Sequence, residues 1–173
     1  LTFTSANWDT PQSFTVTGAD DDLVDGTVTS TLTVTVVDAL SEDSFDSIND
    51  QTVSVTTTDD DVAGFTIAET DGSTAVAESG STDTFTVVLD AQPTSDVVIA
   101  ITSNDTGESS VPSALTFTPA NWDTTQTVTV TGVDDDIIDG TQTSSLTITV
   151  DDSNSDNDFD SVADQTISVT TSD

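Results

Sequence analysis

The opening stretch LTFTSANWDTPQSFTVTGADDDLVDGT returns from Leu115 as LTFTPANWDTTQTVTVTGVDDDIIDGT. The echo keeps an offset of 114 residues, without insertion, as far as Asp59 and Asp173, and 39 of the 59 aligned pairs are identical. Self-similarity at a fixed period means that the chain is built from copies of one folding unit. Residues 59–173 make one complete unit. Residues 1–58 match only the C-terminal half of a unit, so the chain reads as a piece cut from a longer array.

Within a unit the pattern is that of strands. TFTVVL (Thr84–Leu89), VVIAI (Val97–Ile101), LTFT (Leu115–Thr118), TVTVT (Thr127–Thr131), LTITV (Leu146–Val150) and TISVT (Thr166–Thr170) are β-branched runs. Most alternate an apolar residue with Thr, the period-2 mark of a half-buried strand, and Gly, Asn, Asp and Pro punctuate them. With GFTIAE (Gly64–Glu69) this gives about seven strands, and no helical period competes. The predicted fold is all-β: an immunoglobulin-like antiparallel β-sandwich with Val, Ile, Leu and Phe inside and Thr facing water. Regular Thr arrays also suggest an ice-binding surface, but in a twisted sandwich they spread over both sheets instead of forming one flat grid. Trp8 and Trp122, at the same place in each copy, could stack on a sugar ring; they read better as plugs at the end of the sandwich.

Charge is where composition enters. The 173 residues hold 33 Asp plus Glu and no Lys, Arg or His. Asp134, Asp135 and Asp136 stand in a row, and neighbouring carboxylates ~5 Å apart repel by roughly 1 kcal/mol in water and by more in a half-buried turn. Any countercharge must come from solution or from a partner. Hard oxygen ligands without imidazole or thiolate favour calcium or magnesium, and clustered carboxylates suit the larger calcium shell. The plainer alternative is an acidic surface screened by sodium.

The same absences remove whole function classes. Nucleic-acid binding lacks its basic footprint. Ser and Cys nucleophiles lack a His or Lys base, a Lys-bearing phosphate cradle cannot form, and an intramolecular Lys–Asn isopeptide staple is impossible. Only a carboxylate pair could do acid–base chemistry, and it would need one acid with a raised pKa in an apolar pocket, so no enzyme is expected. No cysteine is present, which suits an exported bacterial protein, and no stretch approaches the ~18 apolar residues of a membrane helix. Direct membrane insertion is therefore not expected.

Topology places the acids. With strands lettered A to G, strand E (Thr125–Thr131) ends at the aspartate run, strand F begins after Gly140, and strand G runs back against F, so its end arrives beside the E–F turn. In the first copy this collects Asp20, Asp21, Asp22 and Asp25 from the turn with Asp59, Asp60 and Asp61 after strand G, where one unit meets the next. Calcium at such a junction would hold the turn together and stiffen the joint.

The strand FTIAE, the turn VDDDIIDGTQ and the trailing DDD resemble the Calx-beta module, and the tandem unit is similar to the extender repeats of giant bacterial RTX adhesins. The resemblance covers the whole chain. It implies calcium ligands at Asp134, Asp135, Asp136 and Asp139 in the turn, Asp173 after strand G, Glu69 on strand A and Asp105 in the C–D loop. The family often has Glu where this chain has Asp139 followed by Gly140, which shortens that ligand. The expected function is a calcium-binding spacer of a secreted, surface-attached adhesin. Its partners would be neighbouring repeats of the same chain, with self-association through the half repeat as a further expectation. The alternative is a calcium-dependent glycan- or ligand-binding adhesin module.

A second acidic loop, DDSNSDNDFD, sets Asp152, Asn154, Asp156 and Asp158 at alternate positions, like the first half of a calcium loop. It lacks the Gly at the sixth place and the Glu at the twelfth, and the other copy has Asp38, Leu40, Glu42 and Ser44 there. It reads as a solvated acidic loop.

Overall fold

The computed structural model describes residues 1–173. In residues 59–173 strands form where the Thr/apolar alternation runs, and no α-helix is present in the chain. The chain forms two units, one of Leu1–Asp21 with Thr29–Thr57, the other of Asp22–Val28 with Thr58–Asp173.

The smaller unit contains two strands, β1 (Val28–Val34) and β2 (Gln51–Thr57), paired with each other. The larger unit contains nine: β3 (Phe65–Glu69), β4 (Thr74–Ala77), β5 (Thr82–Leu89), β6 (Val97–Ser103), β7 (Ser109–Ser110), β8 (Ala114–Phe117), β9 (Gln126–Gly132), β10 (Gln142–Val150) and β11 (Gln165–Ser172). They form two sheets, in the orders β4-β11-β10-β6-β8 and β3-β5-β9-β7. Phe85, Val87, Ile99, Phe117, Val128, Val130, Leu146 and Ile148 from the inner faces are fully buried between them. Along β9, Val128 and Val130 point inward while Thr127 and Thr129 are exposed, and β11 alternates the same way. This is the expected all-β sandwich. Trp122 packs against its core, whereas Trp8 is exposed.

Two strands were not foreseen. β4 (TAVA) is too short and Ala-rich to carry a period-2 signal, and β7 has only two residues. β4 is also the exception to antiparallel pairing: it runs parallel to β11, with Val169 opposite Thr74 and Ser172 opposite Ala77.

The first copy departs from the second in a way that pairing explains. Thr127–Thr131 and Leu115–Phe117 are strands because β9 pairs with β5 and β8 pairs with β6, both in residues 59–114. The smaller unit has no counterpart of that half, and its matching segments, Leu1–Phe3 and Ser13–Thr17, form no strand. Its β1 and β2 survive because their counterparts β10 and β11 pair with each other. The same loss opens the core: Phe117 is fully buried, but the matching Phe3 is 56% exposed, and Phe14, Val16, Val34, Phe45 and Val53 are exposed as well.

A candidate metal centre at one end of the sandwich

At the end of β4 the parallel ladder continues one step further, with the Glu78 N–H donating to the Ser172 carbonyl at 2.9 Å. That bond fixes Glu78 beside the end of β11. On the other sheet β9 ends at Gly132, whose missing side chain is required: a Cβ there would lie 2.0 Å from the Ala77 carbonyl oxygen. The close approach sets the turn that follows beside the end of β4. Val133 N–H then donates to the Glu108 carbonyl at 3.0 Å, and Thr171 Oγ1 donates to the same oxygen at 3.4 Å. Glu108 is thus held by β9, the turn and β11 together.

The turn itself is shaped by its own aspartates. Asp135 accepts from Ile137 N–H at 2.8 Å, Asp134 accepts from Asp136 N–H at 3.4 Å, and Asp136 is left-handed at φ 62°. The turn closes where Gly140, at φ 77°, donates to Asp173 Oδ2 at 2.7 Å. The β9–β10 turn and the end of β11 therefore meet, as topology predicted.

Two groups of three acids result: Glu78, Asp139 and Asp173, and Glu108, Asp135 and Asp139, each with carboxylate oxygens within 4.8 Å of one another. Asp139 belongs to both. Glu78 is 8% exposed and Glu108 6%, and Glu78 Oε1 and Glu108 Oε2 are buried without a hydrogen-bond partner. Burial first, then the charges of Asp173, Asp135, Glu108 and Asp139, push the Glu78 carboxyl up to about 7. Burial, followed by Asp139, Asp105, Asp135 and Asp173, raises Glu108 likewise. Two buried orphan oxygens amid like charges are costly unless a proton or a cation satisfies them. The donor set is all carboxylate and fits a hard divalent ion.

Of the acids predicted from sequence, Asp135, Asp139 and Asp173 come together here. Asp134 and Asp136 are exposed on the same turn and belong to neither group. Asp105 is exposed, accepts from Gly107 N–H at 3.0 Å and reaches the site only through its charge on Glu108. Glu69 lies at the end of β3, accepts from Thr74 Oγ1 at 2.9 Å and is in neither group. The structure instead supplies Glu78 and Glu108, which sequence reading passed over. Both follow segments with little strand signal, β4 and the loop before β7.

In the first copy, Asp59 Oδ2 accepts from Asp25 N–H at 3.0 Å and Gly26 N–H at 2.7 Å, repeating the bond between Asp173 and Gly140. Backbone donors, Asp61 first and then Gly26, hold its carboxyl below the usual range. Asp22 contributes its carbonyl to Gln92 N–H at 2.7 Å. Asp20 and Asp21 are exposed in the smaller unit. None of these, nor Asp60 or Asp61, enters a three-acid group, and positions 114 residues before Glu78 and Glu108 are not part of the chain.

The second acidic loop differs from its expectation. Asp156 is buried, and its Oδ2 accepts from Thr94 N–H at 2.6 Å, Thr94 Oγ1 at 2.7 Å and Ser95 N–H at 2.8 Å, while Oδ1 accepts from Asp158 N–H at 3.1 Å. Burial alone would raise its pKa, but these donors outweigh burial and hold it low. Asp156 is a staple between the β10–β11 and β5–β6 connections, not a solvated loop acid.

No protein-family profile and no curated sequence matches the chain. Among solved structures it is similar to the apo form of the Calx CBD1 domain (14% identity, 65% of this chain and 100% of that one, TM-score 0.43). Domains 4 and 5 of the S-layer protein SbsC match at 21% identity over 71% of this chain and 53% of theirs, TM-score 0.41. SSP-19, an MSP-domain-like protein of Caenorhabditis elegans, matches at 17% over 58% and 94%, TM-score 0.40. The class is set by the strand pairings themselves: an immunoglobulin-like sandwich module with an acidic end.

Proposed function

We propose that the chain is a calcium-binding structural repeat, a spacer of a bacterial cell-surface adhesin, in which calcium at the acidic end stiffens the connection to the next repeat. The observation that carries this reading is the pair of buried, unpartnered glutamate oxygens facing Asp135, Asp139 and Asp173. With no Lys, Arg or His in the chain, a solution cation is the available countercharge. Glu78, Glu108, Asp135, Asp139 and Asp173 are the ligands, with Asp139 shared between two positions. Duplication of the turn and of the Asp59 and Asp173 anchors supports a role repeated in every unit, as a spacer needs.

A site with Kd of ~0.1 mM in ~10 mM calcium would gain about 2.7 kcal/mol by mass action, a large share of a small domain's stability. The test is calorimetric titration with calcium and magnesium, together with thermal unfolding in calcium, magnesium, sodium at matched ionic strength, and chelator. The reading requires saturable calcium binding and a midpoint raised by calcium beyond the other salts. Equal response to every salt would make the acids a screened surface.

A further inference from the structure

The turn that carries the acids also carries two large aliphatic residues whose placement no cation explains. Ile137 is 58% exposed and Ile138 98%, the latter the most exposed of the large apolar residues. Their counterparts 114 residues earlier, Leu23 and Val24, have the same flanking sequence, DDD before and DG after, and a different fate. Both are half-buried, and Val24 packs against the sandwich core of the larger unit.

Their seat is the connection between β5 and β6. Leu23 forms a parallel bridge with Gln92. Gln92 N–H donates to the Asp22 carbonyl at 2.7 Å and the Gln92 carbonyl accepts from Val24 N–H at 3.2 Å. Gln92 is itself fixed, since its Nε2 donates to the Pro119 carbonyl at 2.8 Å and the adjacent Ala91 is buried. The seat thus offers one backbone donor and one backbone acceptor at Gln92, and a segment of the form Asp-aliphatic-aliphatic satisfies both.

We propose that Ile137–Ile138 is a docking plug whose partner is the β5–β6 turn, around Gln92, of a further repeat of this kind. The partner is defined by this chain: Leu23–Val24 shows the plug seated, and Ile137–Ile138 is the same plug without a seat. In the seated state Asp136 offers its carbonyl and Ile138 its N–H to the partner's Gln92 backbone, and Ile138 covers the partner's core where Val24 covers this one. The joint needs no cation, because the contacts are backbone hydrogen bonds and aliphatic packing. It therefore stands or falls separately from the calcium reading.

Hydrogen exchange read residue by residue tests it. In the full chain the Val24 amide exchanges slowly and the Ile138 amide fast. When the full chain is extended after Asp173 by a second copy of residues 60–173, which keeps the 114-residue offset, the Ile138 amide slows by at least about tenfold, in calcium and in chelator alike. Unchanged Ile138 exchange in an extended chain whose added copy protects its own core amides overturns the proposal, as does slowing confined to calcium or a fast Val24 amide in the parent. Should the added copy fail to fold, Leu23→Asn with Val24→Asn in the full chain frees the seat. A synthetic peptide of residues 130–143 at millimolar concentration then shifts the Gln92 amide resonance, and the same peptide carrying Ile137→Asn and Ile138→Asn does not. No shift with the first peptide, or an equal shift with both, overturns the proposal.

Discussion

Glu78 and Glu108 are the residues on which stability and the proposed cation binding meet. Both carboxyls are pushed up, Glu78 to about 7, so above the ordinary glutamate range the folded chain holds protons that the unfolded chain has released. The sign follows: in chelator this contribution to stability is fully present near pH 4.5 and is lost as pH rises through about 7. Metal-free protein is therefore expected to melt at a lower temperature at pH 8 than at pH 5.5, as circular dichroism would show. Calcium affinity runs the other way and rises over the same window, since the ion displaces those protons. Glu78→Gln should raise the chelator midpoint at pH 8 and weaken calcium binding on the order of tenfold or more, the scale set by loss of even outer-shell partners. An unchanged affinity would remove Glu78 from the ligand set. Asp156 behaves oppositely. Its low pKa gives a contribution present above the ordinary Asp range and lost as pH falls through the lowered value. Asp156→Ala leaves the Thr94 and Ser95 donors unpaired, and denaturant melts should show a loss of about 1–3 kcal/mol.

The elements around the site are held by close approach. Gly132 lets β9 pass the end of β4, and Gly132→Ala would drive a Cβ into the Ala77 carbonyl. Backbone cannot swing aside as a side chain can, so a loss of about 1–3 kcal/mol or more is expected, with weakened calcium binding because Glu78 and the turn move apart. The duplicate position offers an internal control. A Cβ at Gly18 meets only Thr57 Cγ2 at 3.6 Å, and Gly18→Ala should change the melting midpoint little. Equal effects at the two sites would mean that the β9–β4 approach does not build the centre. Strand identity follows the same logic of partners. The β-branched runs at Thr84–Leu89, Val97–Ile101 and Leu146–Val150 are strands as read, yet Ser13–Thr17, with FTVT inside it, is not. Both Ser13–Thr17 and its counterpart Thr127–Thr131 alternate apolar residues with Thr or Ser, and what separates them is the pairing partner.

For the whole molecule, the exposed apolar face of the smaller unit is the feature with the largest consequence. Phe3, Phe14, Val16, Val34 and Phe45 are exposed where their counterparts are core. Apolar faces of this kind drive association. Sedimentation over a range of concentrations is expected to show self-association in the full chain, and Phe3→Asp with Val16→Asp to reduce it. A strictly monomeric parent would show that this face is not used between chains.

Much of this was legible in the sequence because it is local or periodic. The Thr/apolar alternation marked sandwich strands, and the absence of Lys, Arg and His determined that the acids must look outside the chain for charge. Chain reversal between strands was enough to bring Asp139 to Asp173. Tertiary structure alone decided the rest. Glu78 and Glu108 become buried and unpartnered only when β4 joins β11 in parallel and Gly132 passes Ala77, contacts between residues more than 50 positions apart that leave no periodic trace. Burial is set by what packs on a residue, which is why Leu23–Val24 and Ile137–Ile138, near twins in sequence, end on opposite sides of the line between seated and exposed.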